Sequence, residues 1–217
     1  MKKFIFVLVA VLAMSSMAMA GTIAGTKHDF STTGPAKFSS NSTEICVHCH
    51  TPHMKAGAAY IPYTPLWNRS TNNTTSFTPF TSSTLSAGNQ KSNPFTLTTV
   101  SIACLTCHDG SLSNSGSAGG PVTNAANPTI TYAAGAWSAN SNFGSDLSDV
   151  HPIAVSLATA SAAKAAEYNG TSSDAAIVLF NGLVECASCH NPHDDTNMPF
   201  LARSNAASAI CAACHRY

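Results

Sequence analysis

Hydrophobic positions are spread unevenly along these 217 residues and mark out few long elements. The densest apolar run comes first: Lys2 and Lys3, then Phe4 to Met14, then Ala18-Met19-Ala20. A charged start, an apolar centre and a small-x-small end predict a secretory signal peptide over 1–20. Its apolar part is too short for a spanning helix, and no later stretch is long and apolar enough to cross a bilayer. No cysteine follows the cleavage site, so no lipid anchor is expected there. The reading is an exported, soluble chain from Gly21, about 197 residues once the first 20 are removed.

Beyond that point the pattern is mostly polar. Gly21 to Thr43 is polar and carries an isolated His28. A loop with prolines and aromatics runs from Tyr60 to Trp67. Ser70 to Ser101 is rich in Ser, Thr and Asn, with Phe77, Phe80 and Phe95 interspersed, and predicts irregular backbone with short extended pieces. Gly110 to Gly144 lacks periodicity and reads as a long loop or linker, tied down by Trp137 and Phe143. Ser156 to Tyr168 is Ala-rich without Gly or Pro and is the best helix candidate. Ile177 to Phe180 and Leu183-Val184 flank Asn181-Gly182, a type I′ hairpin signal leading into Cys186. The fold class expected is mostly irregular coil with short helices and a β-hairpin near 177–184.

Composition narrows the chemistry. Only 9% of residues are charged, and removing Lys2 and Lys3 leaves 8 basic against 10 acidic side chains. There is no basic stripe of the kind nucleic-acid binding needs. All eight cysteines fall in four Cys-x-x-Cys-His motifs. Two carry a further histidine: Cys46-Val47-His48-Cys49-His50-Thr51-Pro52-His53 and Cys186-Ala187-Ser188-Cys189-His190-Asn191-Pro192-His193. Two are plain: Cys104-Leu105-Thr106-Cys107-His108 and Cys211-Ala212-Ala213-Cys214-His215. Eight cysteines in an exported chain would normally suggest disulfides. With 9 histidines in 217 residues, however, four chance neighbours have odds on the order of a few in a million. A zinc ribbon also uses Cys-x-x-Cys pairs but has no reason to place His after each one. The motifs therefore predict four covalently bound haem c groups, forming the core of the fold. Two thiols add to the vinyl groups of one porphyrin and the adjacent imidazole reaches its iron. Cys46, Cys49, Cys104, Cys107, Cys186, Cys189, Cys211 and Cys214 are the attachment residues, and His50, His108, His190 and His215 the proximal ligands.

Five histidines remain: His28, His48, His53, His151 and His193. His48 lies between two attachment cysteines and is expected to face solvent. The other four match the distal ligands that four bis-histidine haems need. His53 and His193, at i+3 from a proximal histidine, lie on its own side of the haem. Each is placed to ligate a neighbouring haem. Met54 and Met198, the two methionines after the signal peptide, read as packing residues.

Each half of the chain repeats one order: an isolated histidine (His28, His151), a doubled motif, then a plain one. The expected organisation is one tetrahaem domain over 21–217, with two haem-pair halves at about 21–110 and 145–217 joined by the Gly/Ser/Asn-rich loop. Bis-histidine iron has no open position, so electron transfer without catalysis is the expected role.

The Cys-x-x-Cys-His-x-Pro-His signature, with the Asn-Gly turn before Cys186 and His151-Pro152-Ile153, resembles the doubled-motif multihaem cytochromes c of metal-respiring bacteria. The four motifs, export signal and low charge are similar to the extracellular tetrahaem cytochromes that polymerise into filaments, the OmcE-type nanowires. That resemblance implies a homopolymer at the cell surface, with redox proteins or extracellular acceptors as partners. It also implies that a neighbouring subunit supplies one distal ligand, with His28 the candidate. A monomeric periplasmic shuttle and a multihaem reductase are the alternatives. No nucleic acid and no membrane span after cleavage are expected.

Overall fold

The computed structural model describes residues 22–36, 40–51, 61–64, 66–68, 76–110 and 141–216. The expected signal peptide at 1–20, His53, Met54 and nearly all of the Gly/Ser/Asn-rich stretch, Trp137 included, lie outside these residues. Regular structure is sparse, as a chain rich in Ser, Thr and Asn dictates, because these side chains offer the backbone local hydrogen bonds that compete with helices and ladders. Thr26, Asp29, Ser42, Ser82, Asp146, Ser172 and Asp174 all bond backbone N–H groups two residues on.

Among the described residues four two-residue strands form two antiparallel pairs. β1 (Ser76–Phe77) lies against β2 (Phe95–Thr96), with Phe77 opposite Phe95. β3 (Val155–Ser156) lies against β4 (Leu183–Val184). The helices are α1 (Ser101–His108), α2 (Leu157–Ala163), α3 (Cys186–Cys189) and α4 (Ala209–Ala212). With a 3₁₀ turn at Cys46–His48, each motif starts or sits on a short helical piece, as expected.

Two elements depart from their sequence signals. The Ala-rich helix starts where expected, with Ser156 Oγ accepting from Thr159 N at 3.1 Å, but stops at Ala163. Lys164 leaves helical geometry at φ −146°, and Tyr168 then pairs with His215. A tertiary contact outweighs the helix propensity of Lys164 to Glu167. The Asn181-Gly182 turn forms as expected. Both residues have positive φ, 54° and 76°, and Phe180 and Leu183 exchange two backbone bonds of 3.0 Å. The strand leaving the turn then pairs with Val155-Ser156 instead of extending the hairpin along 177–179.

The core is built from the middle of the chain. Ile61, Phe77, Phe95, Leu97, Ile102, Ala103 and Leu105 pack with Leu147 and Ala154. Phe77 is fully buried, its ring 6.2 Å from that of Phe95. Three of these residues lie on α1, so the core anchors the second motif directly. Full burial of Leu105 stabilises the fold by about 2 kcal/mol.

Candidate haem-binding site

Each motif uses one turn of helix. His50 N donates to Cys46 O at 2.9 Å, His190 N to Cys186 O at 3.0 Å and His215 N to Cys211 O at 2.9 Å. A residue and those three and four positions on share one face of a helical turn. Both thiols and the imidazole are thereby directed to one side, as one porphyrin edge requires. None of the eight cysteines is joined in a disulfide.

Three of these turns are clamped in the same way. Thr51 N donates to Leu66 O and Asn68 N to Cys49 O, both at 2.9 Å. Asn191 N donates to Phe200 O at 2.7 Å and Ala202 N to Cys189 O at 2.9 Å. Arg216 N donates to Glu167 O and Asn169 N to Cys214 O, both at 2.8 Å. His50, His190 and His215 thus form antiparallel bridges with Trp67, Leu201 and Tyr168. In the two doubled motifs the residue before the bridge has the same unusual backbone, φ 53° at Leu66 and 57° at Phe200. The second motif differs: Phe143 N donates to His108 O at 2.8 Å, and its ring stacks on His108 at 5.7 Å. The end of the long loop is tied to His108 through Phe143, which stays 38% exposed.

The histidines meet in pairs. The ring centres of His28 and His108 are 6.2 Å apart at 86°, those of His50 and His193 6.1 Å at 14°, and those of His151 and His215 6.4 Å at 89°. In each pair one ring follows a Cys-x-x-Cys and the other is an expected distal ligand. His190 forms no such ring pair among the described residues, although it lies near enough to His28 and His108 to lower the pKa of both, and His53 lies outside them. His28, the candidate for exchange between subunits, faces His108 of its own chain.

Backbone carbonyls fix the tautomers of three rings. The Nδ1 of His108 lies 2.6 Å from Ser141 O, that of His190 3.0 Å from Pro199 O and that of His151 3.0 Å from Pro152 O. A carbonyl only accepts, so each Nδ1 carries the proton and each Nε2 keeps its lone pair. Loss of water around the ring, then nearness to His108, lowers the pKa of His28 to about 4. Desolvation and the facing ring also lower His193 beside His50 and His151 beside His215. Neutral imidazole is the form that binds a metal.

The motifs also touch one another. α1 and α3 meet at their N-terminal ends, where Ser101 Oγ and Thr99 Oγ1 donate to Glu185 Oε2 and Cys186 N donates to Ser101 Oγ. The Cys104 thiol hydrogen-bonds the Cys186 sulfur, which with burial holds Cys104 well above the usual thiol range. Cys189 is pushed up to about 11 by burial and by Cys214, Cys186 and Cys211 nearby. The third motif therefore neighbours the second and the fourth, while His193, three residues past His190, reaches the first.

Four features lie outside the sequence expectations. His48 does not face solvent: it is 2% exposed, its Nε2 3.5 Å from Ser40 Oγ and its ring 5.7 Å from Phe30. The segment preceding the first motif folds back over it. Met198 is 53% exposed and is no packing residue. The clamps had a visible signal, since Pro65-Leu66-Trp67-Asn68-Arg69 after the first doubled motif matches Pro199-Phe200-Leu201-Ala202-Arg203 after the third. Asp29 also has a role, holding the loop that carries His28. Burial raises its pKa, but bonds from Ser31 and Gly25 outweigh that and keep it ionised below the usual range.

The residues present fit covalently attached haem. Thiols stand outside disulfides, one-turn motifs aim them with a histidine, and imidazoles face each other in pairs. Among the described residues no group of three or more His, Cys, Asp or Glu side chains forms a metal-ion cage. A family model described as the doubled CXXCH motif matches residues 181–217, the span of the third and fourth motifs. No curated protein matches the chain. The match is consistent with a multihaem c-type cytochrome, and the CXXCH motifs indicate covalently bound haem c and electron transfer as the chemistry of this site.

Proposed function

We propose that this protein is an exported electron-transfer protein carrying four haem c groups, one on each Cys-x-x-Cys-His motif, every iron held by two histidines. The observation that carries this reading is the pairing of post-motif histidines with isolated ones at ring separations of 6.1 to 6.4 Å. Haem iron, when bound, supplies a one-electron couple whose potential follows from axial ligand and burial. The chain's own part is positional. The cysteine pairs fix orientation, the backbone clamps hold the proximal rings, and carbonyls at Ser141, Pro199 and Pro152 set the tautomers. With two histidines on each iron no open position would remain for substrate, which argues against a reductase of small oxyanions.

The resemblance to filament-forming tetrahaem cytochromes supports a subunit of an extracellular conductive polymer. A specific observation favours the second reading, a self-contained periplasmic carrier: His28 faces His108 within one chain and needs no neighbour. Size-exclusion chromatography and negative-stain microscopy of the exported, haem-loaded protein separate the two. Filaments support the polymer, and a strictly monomeric protein with four internally ligated haems removes it. A reductase would show a five-coordinate, high-spin haem in the spectrum of the resting protein.

A further inference from the structure

We propose that His28 with His108, His50 with His193, and His151 with His215 are the axial ligand pairs of three haem irons, all from one chain. This rests on the multihaem reading above and adds which histidine serves which motif.

A metal-bound imidazole nitrogen sits about 2.0 Å from the ion and roughly 1.1 Å from its ring centre, so two rings across one ion have centres about 6.2 Å apart. The three separations are 6.2, 6.1 and 6.4 Å. Distance is a condition the pairs meet and not a signature, since Phe77 and Phe95 lie 6.2 Å apart and His50 and Trp67 6.3 Å with no ion between them. The composition of the pairs carries the assignment. Each joins one ring following a Cys-x-x-Cys to one that does not, and no histidine belongs to two of the three pairs. The interplanar angle varies from 14° to 89°, as expected when the ion fixes the separation of two rings and leaves their rotation free.

The supports of each ring lie in different parts of the chain. His28 is held by the Asp29 loop, with Gly25 N donating to Oδ2 at 2.9 Å and Ser31 N to Oδ1 at 3.1 Å. His108 ends α1, its Nδ1 fixed by Ser141 O. His193 N donates to Asn191 Oδ1 at 3.1 Å in the turn after the third motif. His151 is oriented by the Pro152 carbonyl and His215 by the bridge to Tyr168. Each iron would therefore latch two segments distant in sequence. The iron of the first motif would tie that motif to the turn after the third, so these two haems are neighbours.

The test uses the haem-loaded protein from a host that matures c-type cytochromes, read by magnetic circular dichroism and electron paramagnetic resonance. His28→Ala, His193→Ala and His151→Ala should each turn one haem in four high-spin while the number of attached haems stays the same. Assignment comes from combination. With the second attachment site removed by Cys104→Ser and Cys107→Ser, adding His28→Ala should leave the three remaining haems low-spin. The same holds for His193→Ala with the first site removed and for His151→Ala with the fourth. A high-spin haem that appears in the combined variant, or a single variant that stays wholly low-spin, overturns the pairing while the haem count leaves the multihaem reading standing. Absence of covalent haem in the wild type overturns both. Where a variant fails to mature, an experimental structure of the loaded wild type decides: His28 and His108 on one iron support the pairing, and His28 on another motif's iron or a neighbouring chain's overturns it.

Discussion

At the scale of single residues, the site depends on groups outside the four motifs. A Cβ at Gly34 would overlap the carbonyl and carboxylate of Asp29, the residue that shapes the His28 loop. Gly34→Ala is expected to destabilise the protein by about 1–3 kcal/mol through overpacking, seen as a lower thermal midpoint. An unchanged midpoint would show that the loop gives way freely. Glu185 makes a different prediction. It is 1% exposed, and burial raises its pKa above 4.5 although Ser101 and Thr99 donate to it. An acid whose folded pKa is raised favours folding in its protonated form. That contribution is complete below the unfolded pKa and is lost as pH rises through the folded one. Glu185→Gln, which cannot ionise, should therefore gain stability relative to wild type as pH rises above the ordinary carboxylate range and through the raised folded pKa. Denaturant titrations across that range check the trend, and a difference independent of pH would contradict it.

At the scale of elements, small polar contacts take the place of ladders. Asn89 Nδ2 donates to Ser156 O at 2.9 Å, and Ser156 N donates to Asn89 Oδ1 at 2.8 Å. One amide thus acts as a third strand beside β3 and sets the start of α2. Asn89→Ala should cost about 1–3 kcal/mol, because Ser156 keeps its backbone groups and loses both partners. Chemical denaturation reads this directly, and a cost near zero would mean that water substitutes at the site. The motif turns were legible in the sequence because covalent chemistry demands their spacing. The Asn181-Gly182 turn was legible because two positive φ angles need those residues. What followed the turn was not, since strand pairing with Val155-Ser156 is a long-range choice that neither segment encodes alone. Tyr168 left the helix for the same kind of reason. The burial of His48 depends on Ser40 and Phe30 folding back, which spacing within the motif does not reveal.

At the scale of the whole molecule, histidine arithmetic gave the expected distal set, and proximity in space arranges three of its members. His28 and His108 are 80 positions apart in the chain, so only the fold brings them together. The polypeptide core is modest and the haems would supply the rest of it. Removing haem should therefore leave the chain without cooperative unfolding, since cofactor ligation is folding free energy in such proteins. Circular dichroism of the haem-free chain tests this, and a sharp thermal transition would refute it. The central claim is covalent attachment of one haem to each motif, and it is tested most directly by intact-mass measurement of the exported protein. The account predicts the processed chain plus four haem additions, each mapping to one cysteine pair. Intact thiols, disulfides or metal ions on those pairs would contradict it.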